Sequence, residues 1–247
     1  ILLLEHLNKS SKIELPKIVF SSHNKKSSII KDSHGFNRSV RLMSWIDGRL
    51  WSSVNPITKL LRYELGYSCS ELSKSLQGFK HSYADRESEW DIAKSLWVES
   101  HIDKFDTREL KILKKIIKNF KDNLHLYNKL EKSIIHNDIN DNNIIVTNDF
   151  LNPTVKSVID FGDSDFSLII NDLVITCSYG IMNLNDPLSG CIDILKGYNK
   201  NRKVKDNELK LLYNLISMRL VISVTKSSIN RYKEPDNKYL LISEKSA

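Results

Sequence analysis

The feature that most constrains the fold is a pair of polar motifs at a fixed separation. The first reads H-x-D-x-x-x-x-N over residues 136–143, and the second is D-F-G, which begins at Asp160, seventeen residues after Asn143. Each motif alone is weak, because Asp and Asn occur in many turns for backbone reasons. Their order around one predicted hairpin, after a long amphipathic helix, is far more restrictive.

Two β-branched runs between the motifs predict an antiparallel hairpin. They occupy residues 144–147 and 155–159 and are separated by turn-forming residues. If Asn143 lies opposite Asp160, the register also pairs Ile145 with Val158 and Thr147 with Lys156. Directly opposed residues are ~4.5–5.5 Å apart at Cα, so both side chains at the open end could reach one Mg²⁺ at Mg–O distances of ~2.1 Å.

Phosphoryl transfer of the kinase type uses this combination of groups. Asp138 would orient an acceptor hydroxyl and accept its proton. Asn143 and Asp160 would supply hard oxygen ligands to a magnesium ion on the nucleotide phosphates. His136 is expected to brace the loop by hydrogen bonding. The alternative left open is that Asp138 and Asp141 merely form turns.

Hydrophobic periodicity predicts strands near the start of the chain and mainly helices after Pro56. The clearest helix covers residues 107–127, where apolar residues recur at steps of three and four, and residues 106–109 offer a capping pattern. Further helices are expected over 2–7, 171–180 and 206–225. Strands are expected over 17–20 and 39–45, with 21–28 as a hairpin loop.

The composition fits a globular protein of one or two domains. Of the 247 residues, 40% are apolar and 27% are charged, which excludes a disordered chain. The net charge of +7 could suit nucleic acid, but the lysines are scattered and no nucleic-acid-binding motif is present, so no such partner is expected. No apolar run approaches the ~20 residues of a membrane span. Three separated cysteines predict no disulfide framework or zinc site, and hence a reducing, cytoplasmic location.

The motifs and three flanking segments resemble the aminoglycoside phosphotransferase and choline kinase-like family. The segments are 41–51 (RLMSWIDGRLW), 86–91 (RESEWD) and 239–244 (YLLISE). Within the family, the resemblance is greatest to hydroxylysine kinase and to the phosphotransferase domains fused to class III aminotransferases. It implies an α+β, protein-kinase-like fold, with a partial small N-lobe over residues 1–44 and a mainly helical C-lobe over residues 45–247.

The resemblance also implies roles for individual residues. Asp138 is the catalytic base, and Asn143 and Asp160 bind Mg²⁺. A hinge between the lobes would hold the purine of ATP or GTP, and its residues are Met43, Ser44, Trp45 and Ile46. Residues expected to bind the acceptor are Asp141, Asp163, Asp165, Arg86 and Trp90. Trp45 and Trp51 could equally be core aromatics.

One part of the family pattern has no counterpart in the residues before the hinge. The family carries a phosphate-covering loop and a phosphate-pairing Lys there, whereas this chain offers one glycine, Gly35, and no assignable Lys. Glu5 is a nominal candidate for the helix partner of that Lys. We therefore expect that the chain is either incomplete or degraded and that residues 1–247 alone transfer phosphate poorly.

The expected function is transfer of a nucleotide γ-phosphate to a hydroxyl of a small amino alcohol or amino acid. 5-Hydroxylysine is favoured because acidic residues surround Asp138 and attract an ammonium group. The α-carboxylate of that acceptor would need a cation, for which Arg86 is the candidate. Two alternatives stay open: an aminoglycoside or amino-sugar phosphotransferase, and a truncated, non-catalytic, pseudokinase-like module. Fusion to another enzyme domain is also left open.

Overall fold

A computed structural model describes residues 1–237 and Ala247, and this part of the chain contains six α-helices, nine short strands and three 3-10 helices, over Trp51–Ser53, Ile92–Lys104 and Phe161–Asp163. The segment 239–244, which contributes to the family resemblance, lies outside the described residues. The helices are α1 (Leu2–Ser10), α2 (Lys59–Leu76), α3 (Thr107–Tyr127), α4 (Ile170–Gly180), α5 (Pro187–Tyr198) and α6 (Asp206–Lys233). The strands are β1 (Ile18–Val19), β2 (Ser28–Lys31), β3 (Asn37–Val40), β4 (Leu42–Met43), β5 (Arg49–Leu50), β6 (Lys132–Ile135), β7 (Ile144–Val146), β8 (Val155–Val158) and β9 (Asp165–Leu168).

The N-terminal strands form two separate antiparallel pairs. β1 pairs with β4, and β2 pairs with β3. The hairpin turn is therefore at Asp32–Phe36, and the prediction of a hairpin loop over 21–28 is wrong. The Asp32 carboxylate accepts hydrogen bonds from the backbone N–H groups of His34 and Phe36, and Gly35 has φ of +81°. This side-chain turn, with a glycine in the left-handed region, closes the hairpin.

The long amphipathic helix is confirmed as α3. Asp106 and Glu109 form a reciprocal capping box at its start. The predicted stripe faces the core, where Leu113, Ile117 and Phe120 are buried. Its lysines lie on the opposite, solvent-facing side of the helix.

The helical part is held together around α4, which is buried along its whole length. The backbones of α2 and α5 are in van der Waals contact. A Cβ built on Gly66 would lie 1.8 Å from the Ile194 carbonyl oxygen, and a Cβ built on Gly197 would lie 1.8 Å from the Tyr63 carbonyl oxygen. Only glycine permits such close helix approach. Helix α6 packs against both α3 and α4, and its Arg219 reaches Asp138 in the loop between β6 and β7.

The predicted hairpin is present as β7 and β8, but its register differs by one residue from the prediction. Ile144 pairs with Val158 and Ile145 with Ser157, and a bulge follows before Val146. Ile144 and Val158, the first pair of the ladder, are both fully buried. β5 adds a third strand to the other edge of β7.

The predicted boundary at residue 44 falls in the extended connection between β4 and β5. The division into lobes stays a prediction, because Leu7 and Leu15 belong to the same hydrophobic core as the helical part. Of the two tryptophans near this boundary, Trp51 is a core residue at 1% exposure and Trp45 is 86% exposed. Among the described residues, we find no helix with the length and apolar character needed to cross a bilayer.

Candidate active site

The carboxylate of Asp138 is held by hydrogen bonds from three directions. It lies in the loop between β6 and β7, where Asn140 Nδ2 donates to Oδ1 at 2.9 Å and Asn143 Nδ2 donates to Oδ2 at 2.8 Å. Arg219 of α6 approaches Oδ1 at 3.4 Å. Burial raises the pKa of Asp138, and the charge of Arg219 opposes that rise. The carboxylate is thus fixed in orientation and is a stronger base than a free Asp.

A buried carboxylate on α4 anchors the start of this loop. Asp172 is fully buried, and its two oxygens accept the backbone N–H groups of His136 at 3.0 Å and Asn137 at 2.8 Å. Asn137 has φ of +66°, in the left-handed region that is unfavourable for residues other than glycine. The two hydrogen bonds help to hold this strained backbone in the conformation that presents Asp138.

His136 connects the loop to the D-F-G segment. Its Nδ1 accepts the backbone N–H of Asp138 at 3.2 Å, so the proton of the neutral ring is on Nε2, which donates to the Ile159 carbonyl at 3.0 Å. The ring packs on Phe161 with 4.6 Å between ring centroids. Burial lowers the pKa of His136, which favours this neutral form. The geometry supports the predicted brace.

Asn143 and Asp160 lie side by side at the open end of the hairpin, where the Ile159 N–H donates to the Asn143 carbonyl at 2.9 Å. Both N–H groups of the Asn143 amide are used on Asp138, so its Oδ1 is the side-chain atom that remains to act as a ligand. Asp160 is solvent-exposed with φ of +60°, and its Oδ1 accepts a hydrogen bond from the Gly162 N–H. The two side chains therefore offer hard oxygen atoms, which fits a magnesium site completed by phosphate oxygens and water.

The described residues contain no cluster of three or more His, Cys, Asp and Glu side chains suited to a metal. A magnesium ion carried on nucleotide phosphates needs only one or two protein carboxylates. The donor set of Asn143 and Asp160 matches that requirement.

A polar cavity of about 250 Å³ opens beside Asp138. Three of the residues predicted to bind the acceptor line it: Asp141, Asp163 and Trp90. Burial raises the pKa of Asp141, with a smaller contribution from the nearby charge of Asp138. The cavity is large enough for a small polar molecule next to the predicted base.

The other two predicted acceptor residues do not line this cavity. Arg86 donates to the Gly162 carbonyl at 2.7 Å and lies 3.5 Å from Asp163, so it contacts the D-F-G segment from outside. Asp165 is buried in β9, opposite Ile135, and accepts the Arg86 backbone N–H. Arg86 thus contacts the segment around Gly162, and its assignment as partner of a substrate carboxylate stays a prediction.

Sequence reasoning missed the cavity wall that α6 supplies. Arg219, Ser223, Lys226 and Asn230 line the cavity at steps of three and four residues, so they lie on one face of the helix. Tyr179 of α4 completes this wall, and its hydroxyl is 2.9 Å from Ser223 Oγ. The available signal was a charged residue, Arg219, within an apolar helical stripe.

The same reasoning missed Asp172, for which the sequence offers a comparable signal. Asn171 and Asp172 interrupt an otherwise apolar helix. Charged residues are rarely buried unless they are paired or hydrogen-bonded, so such an interruption marks a specific polar contact.

A second cavity, of about 230 Å³, is lined by Asp160 and by one residue of the predicted hinge. Met43 lines this cavity together with Asp160 and Gly162. Ser44 is instead engaged with Lys17, to whose carbonyl it donates its backbone N–H at 2.8 Å. Trp45 points to solvent and Ile46 is buried at 7% exposure. Of the four hinge residues, Met43 is thus the one placed beside Asp160.

Glu5 of α1 forms an ion pair with Lys26, with 2.6 Å between Oε1 and Nζ. Lys26 lies in the connection between β1 and β2, after α1 in the chain. The family's phosphate-pairing Lys precedes the helix that carries its partner, so Lys26 is not its counterpart by chain order.

The chain belongs to a family of phosphotransferases: the model of the family described as "Phosphotransferase enzyme family" matches residues 3–190. Curated relatives include hydroxylysine kinase of Bos taurus, 26% identical over 219 residues, which cover 84% of this chain and 58% of the relative. Hydroxylysine kinase of Xenopus laevis is 24% identical over 254 residues, which cover 96% of this chain and 68% of the relative. The chain thus spans 58% of the length of the bovine relative, and the family resemblance read from the sequence is confirmed.

Solved structures show the same fold at low sequence identity. An amicoumacin kinase in complex with AMP-PNP, Ca²⁺ and Ami gives a TM-score of 0.70 at 17% identity, over 98% of this chain and 73% of that one. A microcompartment-associated aminopropanol kinase gives 0.64 at 15% identity, over 98% and 76%. The GDP and kanamycin complex of APH(2")-IIia gives 0.67 at 16% identity, over 98% and 77%. The predicted protein-kinase-like fold is confirmed.

Proposed function

We propose that the protein transfers the γ-phosphate of a nucleotide to the hydroxyl of a small amino alcohol or hydroxy amino acid. The observation that carries this proposal is that Asp138 and Asp160 line two different cavities, while Asn143 is hydrogen-bonded to Asp138. One cavity contains Asp138 and the other contains Asp160. An acceptor and a phosphate donor could therefore meet across the carboxylate of Asp138.

Asp138 acts as the base in this proposal. Its carboxylate takes a hydrogen bond from the acceptor hydroxyl, aligns that oxygen with the γ-phosphate and receives its proton as transfer proceeds. Burial favours this role because it raises the pKa of the carboxyl toward neutrality. Asn140 and Asn143 hold the carboxylate in place, so little reorganisation is needed on the way to the transition state.

Asn143 and Asp160 hold Mg²⁺ on the nucleotide in this proposal. When bound, the ion neutralises charge on the β- and γ-phosphates. The neutral side chain of His136 fixes the separation between the two ligand segments through its contacts with Ile159 and Phe161. Met43 and its neighbours in the second cavity would contact the ATP or GTP on the opposite side.

Hydroxylysine is the favoured acceptor class. The curated relatives carry the name hydroxylysine kinase, and the cavity beside Asp138 contains two further acids, Asp141 and Asp163, suited to an ammonium group. A cytoplasmic location, and fusion to a further enzyme domain, stay predictions from the sequence.

The test is a coupled kinase assay with Mg²⁺ and either ATP or GTP. The protein is expressed from its complete reading frame, with whatever flanks residues 1–247, and is offered hydroxylysine, homoserine, choline, ethanolamine and kanamycin. We expect turnover on hydroxylysine and none by the Asp138→Asn variant. Kanamycin phosphorylation without any on hydroxylysine would favour an aminoglycoside phosphotransferase. Absence of transfer to every acceptor, with nucleotide bound, would favour a non-catalytic module.

A further inference from the structure

Charges of both signs line the cavity beside Asp138. Its carboxylates, Asp138, Asp141 and Asp163, come from the β6–β7 loop and the D-F-G segment. Its cations, Arg219 and Lys226, come from α6, where Arg219 lies 3.4 Å from Asp138. A ligand that carries both an ammonium and an anionic group would match both sets of charges, whereas a polycation would be repelled by one of them.

Arg219 retains hydrogen-bonding capacity although it is buried. The residue is 1% exposed, and its Nε–H has no partner within the part of the chain that the structure describes. Its other nitrogens donate to the Trp90 carbonyl at 3.1 Å and approach Asp138 at 3.4 Å. The latter distance exceeds the ~2.7–2.9 Å of a well-formed charge-assisted bond. A buried guanidinium with unused donors is costly unless a further acceptor satisfies it.

Aromatic rings hold both cations at the cavity. The guanidinium carbon of Arg219 lies 4.9 Å from the ring centroid of Trp90 and 5.6 Å from that of Tyr179. Lys226 Nζ lies 6.0 Å from the same Trp90 ring and 4.9 Å from that of Trp97. The two positive charges thus flank one indole, which restricts where they can move and stabilises them by cation–π attraction.

Lys226 is the more accessible of the two cations. Its side chain is 18% exposed and it pairs with Glu89, whose side chain is 66% exposed at the rim. Burial lowers the pKa of Lys226, which means that its charge is incompletely solvated there. An exposed partner such as Glu89 is readily replaced, so Lys226 is free to bind an anionic group of the ligand.

Asn137 adds an independent sign that this cavity is built for a polar ligand. Its side chain lines the cavity and is fully buried, yet neither Nδ2 nor Oδ1 has a partner among the described residues. Unpaired buried polar groups are rare in folded proteins, and here they converge with Arg219 on one cavity.

We propose that the α6 wall binds a carboxylate of the acceptor through Lys226 and Arg219, so that the site selects a zwitterionic hydroxy amino acid over a polycation. This inference rests on the proposed function for the identity of the acceptor site. As partners of the substrate carboxylate, we thus propose Lys226 and Arg219, which line the cavity, in place of Arg86, which contacts Gly162 outside it. The ammonium group of the same acceptor would face Asp141 and Asp163.

The test compares 5-hydroxylysine with its carboxamide, which differs in the charge of one group. For the wild-type protein we expect kcat/KM to be about tenfold higher for the acid, since a desolvated charge pair contributes on that scale. Lys226→Met should raise the KM for hydroxylysine by about tenfold, leave kcat nearly unchanged and reduce the preference for the acid. Lys210→Met, an exposed lysine on the same helix, is the control and should preserve the preference.

Arg219→Lys is the second variant and should also reduce the preference for the acid, because lysine cannot reproduce the planar guanidinium fork. Equal kcat/KM for acid and amide in the wild type, or an equal loss on both compounds in Lys226→Met, would overturn the inference. Calorimetric titration of both compounds without nucleotide measures the same preference in binding. A preference for the acid in titration together with no phosphate transfer would refute the proposed function while leaving the carboxylate site intact.

Discussion

The amide nitrogen of Asn143 donates to two atoms of Asp138, to Oδ2 at 2.8 Å and to the carbonyl oxygen at 2.9 Å. Both N–H groups of the amide are consumed by this contact, which leaves its oxygen without a role in holding Asp138. Asn143 thereby links the proposed base to the proposed metal ligands. A change at this residue affects both groups at once.

The Asn143→Asp variant separates the two roles. Aspartate is at least as good a ligand for Mg²⁺, but it cannot donate to Asp138 and places a second negative charge beside it. We expect kcat to fall by about 100-fold, because misplacement of a catalytic group by ~1 Å has effects of that size. Steady-state kinetics over a range of Mg²⁺ concentrations is the measurement. Activity near that of the wild type would mean that metal binding is the sole role of Asn143.

Asp160→Asn tests the metal assignment with little structural risk, because this side chain is exposed and makes one hydrogen bond, to the Gly162 N–H. We expect phosphate transfer to be abolished and the melting temperature to change little. The same measurements on Asp103→Asn, another exposed acid, provide the control and should show full activity. Unchanged activity in the Asp160 variant would refute its assignment as a ligand.

Asp172→Ala tests the anchor of the catalytic loop. The variant leaves the buried N–H groups of His136 and Asn137 without acceptors, and each such group costs about 1–3 kcal/mol. The free energy of unfolding in urea should fall by at least about 2 kcal/mol. Asp206→Ala, a residue in the first turn of α6 as Asp172 is in the first turn of α4, should cost far less. Equal losses in the two variants would show that only the helix dipole is involved.

Because His136 is buried in its neutral form, we expect the folded protein to lose stability in acid. Burial places its folded-state pKa below the ordinary value of about 6.5, so the unfolded chain binds the proton more readily as the pH falls. The free energy of unfolding should therefore decrease below about pH 6.5, and less so in His136→Gln. Urea midpoints across this range measure the effect, and His34→Gln, at an exposed turn, should behave as the wild type. A wild-type curve parallel to that of His136→Gln would contradict the neutral form.

Local patterns in the sequence were sufficient for the hairpin and for α3. The hairpin follows from two β-branched runs, and α3 follows from an apolar stripe of 3.6-residue period with a capping box. Each of these signals lies within one short segment of the sequence. The register differs from the prediction by one residue from the first pair, Ile144 and Val158, and the bulge before Val146 shifts it by one more; neither is specified by the β-branched runs themselves. The turn at Asp32 was missed because its side chain closes the hairpin in place of the expected loop.

The candidate site was predictable only where chemistry lies within one segment. Asp138, Asn143 and Asp160 fall within 23 residues of each other in the chain and could be read from their motifs. Arg219 contacts Asp138, and Asp172 contacts the loop that carries it, from helices far along the chain. A charged residue in an apolar helix indicates a polar contact, but it does not indicate which residue the partner is. Arg86 lies against the Gly162 carbonyl and does not line the cavity, because a cation near acids in sequence need not face the same cavity.

In the proposed reaction, Asp138 accepts the proton of an amino acid hydroxyl as phosphate is transferred to that oxygen. This step is tested by mass spectrometry of the product formed from 5-hydroxylysine, Mg²⁺ and a nucleotide whose γ-phosphate carries heavy oxygen, with the wild type and with Asp138→Asn. We expect O-phosphohydroxylysine that retains the labelled phosphate oxygens, formed at a rate at least about 100-fold lower by the variant. Labelled product formed equally fast by Asp138→Asn would contradict this role of Asp138.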